Sequence, residues 1–305
     1  MQTIILSSCL LSAVCLLGLD AADLPQGPLA FDELRAVEYW TGPIPHEIPV
    51  VKDRKGREGP KYRINMDVYR PTGVKGPLPA VVLVHGGGLG GGRPDSMKQY
   101  AEVLCTFGYV CFAPGYTLGK GLAPAVSDTR QAIRAIRLRA DEFGIDPERL
   151  ALWGFSAGGW IGSVIATVED GESIRKREKN EQGKREWVEH PTDTGPLLGQ
   201  VSSKPQVIVL SSGDQLGRYL DHIDASDPPI LSYCGEKEYR APKDDFVQAK
   251  QQASLIHEYF GITGGKHCPN LDLTLVRQGE TVQVAQAVLD FLAGHGLATA
   301  ANPAP

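Results

Sequence analysis

Apolar and polar positions follow one another along the chain in a pattern that predicts strands. Residues 62–69 alternate apolar and polar side chains and are followed by Pro71, as expected of a β-strand. Residues 79–85 (PAVVLVH) form a continuous apolar, β-branched run, which is typical of a strand buried on both faces. Further strands are predicted at residues 109–113, 150–153, 206–210 and 229–233.

Helices are predicted between these strands. The clearest covers residues 127–143, where Ala132, Ile133 and Ile136 recur at helical spacing. Others are predicted at residues 96–107, from about residue 245, and at about 282–292. Because strands and helices alternate, the sequence predicts an α/β fold with a mostly parallel, doubly wound sheet and helices on both faces.

Both ends of the chain depart from this pattern. Residues 4–19 are almost purely apolar or small, and this length suits a signal peptide better than a membrane span. We therefore predict a signal peptide at 1–22 and an exported protein, periplasmic or extracellular; an uncleaved segment that tethers the protein to a membrane is the alternative. One domain is predicted at 23–297, followed by a disordered, Ala- and Pro-rich tail at 298–305.

Residues 169–199 interrupt the alternation with a densely charged stretch (EDGESIRKREKNEQGKREWVEH within it) that holds few apolar positions. Such a stretch between regular units predicts a surface insertion. A lid over an active site is the alternative, because long segments of this kind are often functional.

The net charge and the cysteine spacing exclude some classes of binding partner and ligand. The chain of 305 residues has a net charge of −5, which argues against nucleic acid or an anionic membrane surface as partner, because both select basic patches. Four cysteines follow the predicted signal peptide, at spacings that match no zinc ribbon or finger, so no metal is predicted. Export would expose them to oxidation; four buried free thiols are the alternative to disulfides for Cys105, Cys111, Cys234 and Cys268.

The strongest chemical motif is G-x-S-x-G, centred on Ser156 between a predicted strand and an apolar helix. A nucleophilic serine needs a strained turn that projects its Oγ from the sheet, and glycines on either side let the neighbouring backbone pass closely. The helix that follows directs its first N–H groups, Ala157 among them, toward developing negative charge. Ser156 is therefore predicted to be a nucleophile.

A second motif, His85-Gly-Gly-Gly88, follows the buried strand at 79–85 and lies 71 residues before Ser156. Glycines at this place expose backbone N–H groups, so Gly86 and Gly87, together with Ala157, are predicted to form an oxyanion hole. A simple glycine-rich turn is the alternative. A phosphate-binding loop is not predicted, because no G-K-[ST] or G-x-G-x-x-G precedes a helix.

These motifs, with APGYTL at 113–118 and GIDPER at 144–149, resemble the hormone-sensitive-lipase and acetyl-esterase type of α/β-hydrolase. The resemblance covers residues 63–163 well and 228–238 fairly. It implies an α/β-hydrolase fold, a cofactor-free carboxylic-ester hydrolase for short acyl chains, and a triad in the order serine, acid, histidine. One departure is Thr117, where an arginine often stands.

The resemblance puts the acid at the end of the strand that follows Pro228, where Glu238 stands at a position usually held by Asp. Glutamate can orient a histidine as aspartate does. Asp214, after the preceding strand, is the rival acid, and a solvated surface glutamate is the plain alternative.

The histidine has two possible registers. Apolar spacing from Phe246 to Phe260 favours one long helix and a last strand at 271–276, and in this register the expected position near residues 280–281 holds no histidine. Alternatively the helix ends early, residues 256–260 form the strand, and G-G-K-His267 resembles the family's G-G-x-H turn, with His267 29 residues after Glu238. His267 is the best candidate in either register.

The sequence therefore predicts acyl transfer by Ser156, His267 and Glu238 on a small-molecule ester. The alternatives are a degenerate hydrolase fold used for binding, and a small serine peptidase or amidase. If the triad forms, Cys234 and Cys268 flank the place where acid and histidine meet, and a disulfide between them is a further prediction. The sequence does not indicate an oligomeric state.

Overall fold

The computed structural model describes residues 31–39, 50–52, 58–60, 65–277 and 280–302, so the predicted signal peptide lies outside the described residues. The strands are β1 Phe31–Glu38, β2 Val50–Lys52, β3 Glu58–Pro60, β4 Asn65–Pro71, β5 Leu78–Val84, β6 Val110–Pro114, β7 Ile145–Phe155, β8 Ser173–Lys179, β9 Arg185–Pro191, β10 Val207–Ser211, β11 Ile230–Gly235, β12 His257–Ile262, β13 Thr274–Arg277 and β14 Glu280–Gln283. The helices are α1 Lys98–Thr106, α2 Leu122–Leu138, α3 Ala140–Phe143, α4 Ala157–Thr167, α5 Asp244–Ala253 and α6 Val284–Leu292.

Eight strands form the central sheet in the order β1-β4-β6-β5-β7-β10-β11-β12. The pairs from β6 to β12 are parallel, whereas β4 runs antiparallel to both of its neighbours. The strand that carries Ser156 at its end, β7, lies between β5 and β10 near the middle of the sheet. Because parallel strands share one carboxyl edge, the loops after β5, β7, β10, β11 and β12 all open on the same edge.

Helices cover both faces of the sheet, as the sequence predicts. Strand β5 is buried along its whole length, which explains its unbroken apolar run. One face packs against α2, α4 and α5, and the other against α1 and α6. None of the helices within the described ranges combines the length and the hydropathy that crossing a bilayer requires.

The charged insertion contains a hairpin of β8 and β9, which no apolar pattern in the sequence predicts. Its base is tied to α2 by two arginines whose side chains are at most 1% exposed. Arg134 binds Asp193 through two contacts of 2.7 and 2.5 Å, and Arg130 binds Asp170. Removing one partner of such a buried pair costs about 3–5 kcal/mol, so the base of the insertion is an integral part of the fold.

The hairpin begins just beyond the end of α4 that is farther from Ser156. This helix has 11 residues and therefore spans about 16 Å. The hairpin is attached at the end of α4 away from Ser156, and both the surface insertion and the lid over the site stay predictions.

Residues 298–302 pack against the domain, unlike the disordered tail predicted to begin at residue 298. Asn302 donates hydrogen bonds to the hydroxyl of Tyr109 at 2.8 Å and to the carbonyl of Leu289 at 2.9 Å. Thr299 pairs with Asn302 in a short antiparallel bridge. The expectation of a tail without structure does not hold for these five residues, because the asparagine amide supplies contacts that composition alone does not reveal.

Candidate active site

Ser156 occupies a sharp turn between β7 and α4, with φ 53° and ψ −114°. Its glycine neighbours are required sterically. A Cβ on Gly154 would lie 2.2 Å from the carbonyl oxygen of Gly158, and a Cβ on Gly158 would lie 2.0 Å from that of Val84. The turn therefore has the strained backbone that projects a nucleophile from a sheet.

The structure brings the three residues predicted as a triad into one chain of contacts. The Nε2 atom of His267 lies 2.7 Å from the Oγ of Ser156, and its Nδ1 lies 2.6 Å from the Oε1 of Glu238. An ionised carboxylate only accepts hydrogen bonds, so Nδ1 carries the proton and Nε2 is free to accept the serine proton. The histidine side chain is 55% exposed, which leaves this face of the site open to solvent.

The register of the histidine is the one in which the helix ends early. Helix α5 ends at Ala253, and Ser254 turns the chain with a left-handed φ of 56°. Strand β12 then pairs in parallel with β11, and the turn that carries His267 follows it. The long helix and the last strand at 271–276 are wrong as predicted, because β13 pairs only with β14 in a separate hairpin.

The loop of His267 is fixed to the ends of two neighbouring strands. The N–H of Cys268 donates to the Oγ of Ser212 at 2.8 Å, just after β10. A Cβ on Gly235, at the end of β11, would lie 2.5 Å from the carbonyl oxygen of Lys266, so the loop packs directly on this glycine. These contacts hold the imidazole over the carboxyl edge of the sheet.

Asp214, the rival acid, contacts a different histidine. Its Oδ2 lies 3.0 Å from Nε2 of His257 and 2.7 Å from Oγ of Ser232. Burial raises the pKa of Asp214, but the hydrogen bonds and the charge of the His257 contact outweigh burial and lower it. The helical spacing from Phe246 to Phe260 predicts His257 in a helix, so the sequence does not reveal this pair, which the pairing of β12 with β11 creates.

A polar pocket of about 200 Å³ opens beside the two acids. Glu238 and Asp214 both line it, with Gln215 and Tyr259 among the other residues. Two carboxylates therefore face one pocket while they contact different histidines. Among the described residues, no three His, Cys, Asp or Glu side chains are grouped so that they could hold a metal ion.

The residues predicted for the oxyanion hole belong to the glycine loop after β5 and to the start of α4, next to Ser156. A Cβ on Gly86 would lie 3.0 Å from the Cβ of Ser156, so this loop packs against the serine turn. Gly87 has a φ of 117°, and Ala157 is the first residue of α4. Their role toward an oxyanion stays a prediction.

All four cysteines that follow the predicted signal peptide are free. The Sγ of Cys234 lies 3.4 Å from the hydroxyl of Tyr259, whereas that of Cys268 lies 3.6 Å from the carbonyl of Ser211. The disulfide predicted between them is wrong, because the two thiols take different partners. Burial raises the pKa of both thiols.

This strand order, with Ser156 after β7, Glu238 after β11 and His267 after β12, defines the class of protein: the chain has an α/β-hydrolase fold. Solved structures share it. The chain aligns with the propionate-bound esterase 2 of Thermogutta terrifontis at 21% identity and a TM-score of 0.57, over 83% of this chain and 95% of that one. It aligns with a truncated carbohydrate esterase from gut microbiota at 15% identity and a TM-score of 0.59, over 80% and 92%.

Within that fold, sequence comparison gives a narrower likeness. Residues 66–190 match the family model described as BD-FAE. The chain is 34% identical to carboxylesterase NlhH of Mycobacterium tuberculosis over 113 residues, 34% of each protein. It is 28% identical to gut esterase 1 of Caenorhabditis briggsae over 108 residues, 31% of this chain and 19% of that one.

The alignments thus span about a third or less of the length of these two curated relatives. The resemblance to carboxylesterases of the α/β-hydrolase fold, predicted from the motifs, is confirmed. Ser156 and the glycine loop lie inside the segment that matches the family model, whereas Glu238 and His267 lie beyond it.

Proposed function

We propose that the protein is a serine carboxylic-ester hydrolase that acts on short-chain acyl esters through an acyl-enzyme. The observation that carries the proposal is the contact of 2.7 Å between Nε2 of His267 and Oγ of Ser156. The second contact, from Nδ1 of His267 to Glu238 at 2.6 Å, completes the geometry that a general base needs. The likeness to carboxylesterases supports ester hydrolysis, and the resemblance in the motifs suggests short acyl groups.

In the proposed mechanism, Oγ of Ser156 attacks the ester carbonyl carbon while Nε2 of His267 takes the serine proton. Glu238 holds the imidazole by its Nδ1–H and stabilises the imidazolium. The N–H groups of Gly86, Gly87 and Ala157 hold the oxyanion of the tetrahedral intermediate. His267 then gives its proton to the departing alcohol.

Deacylation repeats these steps with water as the nucleophile. His267 takes a proton from a water molecule as that water attacks the acyl carbonyl. The imidazolium then returns the proton to Oγ of Ser156 as the carboxylic acid leaves. Every proton in the cycle passes through Nε2 of the one imidazole, so no cofactor is needed in this proposal.

An acyl-enzyme predicts a burst of one equivalent of p-nitrophenol per enzyme with p-nitrophenyl acetate, provided that deacylation is the slower step.

We also expect faster turnover of acetate and butyrate esters than of octanoate esters. An alkyl fluorophosphonate should form one adduct, at Ser156, which peptide mass spectrometry locates. Parallel assays with p-nitroanilides test amide cleavage. Folded protein that neither hydrolyses these esters nor reacts with the phosphonate would overturn the proposal.

Export is a further part of the proposal. The apolar segment at residues 4–19 supports it, and an ester outside the cytoplasm would then be the substrate. N-terminal sequencing of the mature protein tests this, with a first residue near 23 expected.

A further inference from the structure

Two buried rings lie behind the glycine loop that follows β5. The hydroxyl of Tyr116 donates to the carbonyl of His85 at 2.8 Å and lies 3.4 Å from the carbonyl of Gly86. The Nδ1 atom of His85 lies 2.8 Å from the same Gly86 carbonyl. The two rings stack, with centroids 4.3 Å apart and an angle of 17° between their planes. Both side chains are at most 1% exposed.

The geometry of the peptide bond connects these contacts to the proposed chemistry. In a trans peptide group the C=O of one residue and the N–H of the next point in opposite directions within one plane. The carbonyl of His85 therefore shares its plane with the N–H of Gly86, and the carbonyl of Gly86 shares its plane with the N–H of Gly87. The two carbonyls that the rings hold belong to the same two peptide groups that carry two of the proposed oxyanion donors.

We infer that Tyr116 and His85 are positioning residues for the oxyanion hole, which they orient by holding these two peptide planes from behind. The inference rests on the proposed function, because the N–H groups need an oxyanion to act on. Neither side chain has to touch the substrate: each acts on the backbone, and the backbone acts on the oxyanion.

The protonation of both rings suits this role. A carbonyl only accepts, so Nδ1 of His85 must carry a proton to bind Gly86. Burial raises the pKa of Tyr116, which keeps its hydroxyl a donor at all physiological pH values. In both contacts the ring therefore donates to a carbonyl oxygen. Each contact keeps the N–H on the other side of the same peptide group directed away from the rings.

Close packing limits the remaining freedom of the loop. A Cβ on Gly92, whose φ is 96°, would lie 2.1 Å from the carbonyl oxygen of Gly86 and 2.3 Å from Nδ1 of His85. On the other side Gly86 packs against Ser156. Consecutive glycine peptides rotate easily when nothing holds them, so the contacts from Tyr116 and His85 restrict motion where the sequence itself gives little restriction.

The test is Tyr116→Phe, which keeps the ring and its stacking and removes only the hydroxyl. Removing one oxyanion donor costs about 10²–10³ in kcat, and loosening two donors should cost less. We expect kcat for p-nitrophenyl acetate to fall about 10-fold, with KM within about 2-fold of the wild-type value. The affinity for a short-chain trifluoromethyl ketone, whose serine adduct carries an oxyanion, should fall by a similar factor.

Tyr109→Phe is the matched control. Tyr109 stands just before β6 as Tyr116 stands just after it, is equally buried, and donates to the carbonyl of Leu297 at 2.8 Å. We expect this variant to lose thermal stability and to keep kcat and ketone affinity, which separates loss of a buried hydrogen bond from loss of loop orientation.

Wild-type kcat and wild-type ketone affinity in folded Tyr116→Phe would overturn the inference. Failure of the wild-type enzyme to hydrolyse any ester would instead overturn the proposed function, so the two failures are distinguishable. If Tyr116→Phe does not fold, His85→Phe keeps the stacked ring and removes the Nδ1–H donor, and the same fall in kcat and ketone affinity is expected of it.

Discussion

Ser156→Ala is expected to lower kcat for p-nitrophenyl acetate by about 10⁵-fold or more, because no other group replaces the attacking oxygen and triad members act as a unit. The melting temperature should stay within a few degrees of the wild-type value. The substitution removes one hydroxyl that contacts a histidine 55% exposed to solvent, and it leaves the backbone turn in place. Ester hydrolysis and differential scanning calorimetry measure the two effects.

Ser127→Ala is the control for loss of a serine hydroxyl. Ser127 is buried in α2, where its Oγ accepts from the N–H of Thr194 at 2.9 Å. We expect this variant to lose about 1 kcal/mol of stability and no activity. Ser156→Ala protein that kept more than a tenth of the wild-type kcat would exclude Ser156 as the nucleophile.

Glu238→Gln is expected to lower kcat by about 10³–10⁴-fold near neutral pH, because an amide can stabilise neither the imidazolium nor the required tautomer of His267. KM should change little, since the acid acts through the histidine. The measurement is the pH profile of kcat with p-nitrophenyl acetate.

Asp214→Asn is the matched comparison, since it makes the equivalent change in the rival acid. Asp214 contacts His257 and Ser232, not His267. We expect a loss of about 1–3 kcal/mol in the free energy of unfolding, with activity retained. The reverse pattern, a large loss of kcat in Asp214→Asn and a small one in Glu238→Gln, would assign the acid to Asp214.

Local rules predict the sharp turn at Ser156 and the strands around it. Glycines around Ser156 are needed by the backbone itself, and the apolar run of β5 follows from burial on both faces. Such features depend on residues close in sequence, so the sequence alone can reveal them.

The region around His267 was ambiguous because its structure depends on distant residues. Apolar spacing favoured one long helix, yet Ile256 is 48% exposed and the chain after it pairs with β11. A strand is stabilised by its neighbour in the sheet, and helical spacing within one segment carries no information about that neighbour. The resemblance of residues 264–267 to the G-G-x-H turn nevertheless indicates His267 as the candidate histidine.

Sequence patterns do not predict two other features, the hairpin of β8 and β9 and the contact of Tyr116 with the glycine loop. The strands of the hairpin consist largely of charged residues, which gives no strand periodicity, and the arginines of α2 find their carboxylates 40 and 59 residues away. In the sequence, Tyr116 is part of the motif at residues 113–118, and nothing there indicates its contact with the glycine loop. Its contact with the loop after β5 joins residues 31 positions apart, and only the folded sheet brings them together.

The left-handed backbone of Ser156 places the stability of the fold and the proposed activity in opposition at this one position. A side chain held at φ 53° carries strain of about 1–3 kcal/mol, and glycine would be the residue best suited to the turn. Alanine keeps the Cβ and hence the strain. We therefore expect the free energy of unfolding of Ser156→Gly to exceed that of Ser156→Ala by about 1 kcal/mol, with a correspondingly higher melting temperature. Selection for the fold alone would favour a glycine here, whereas selection for the proposed chemistry favours a serine.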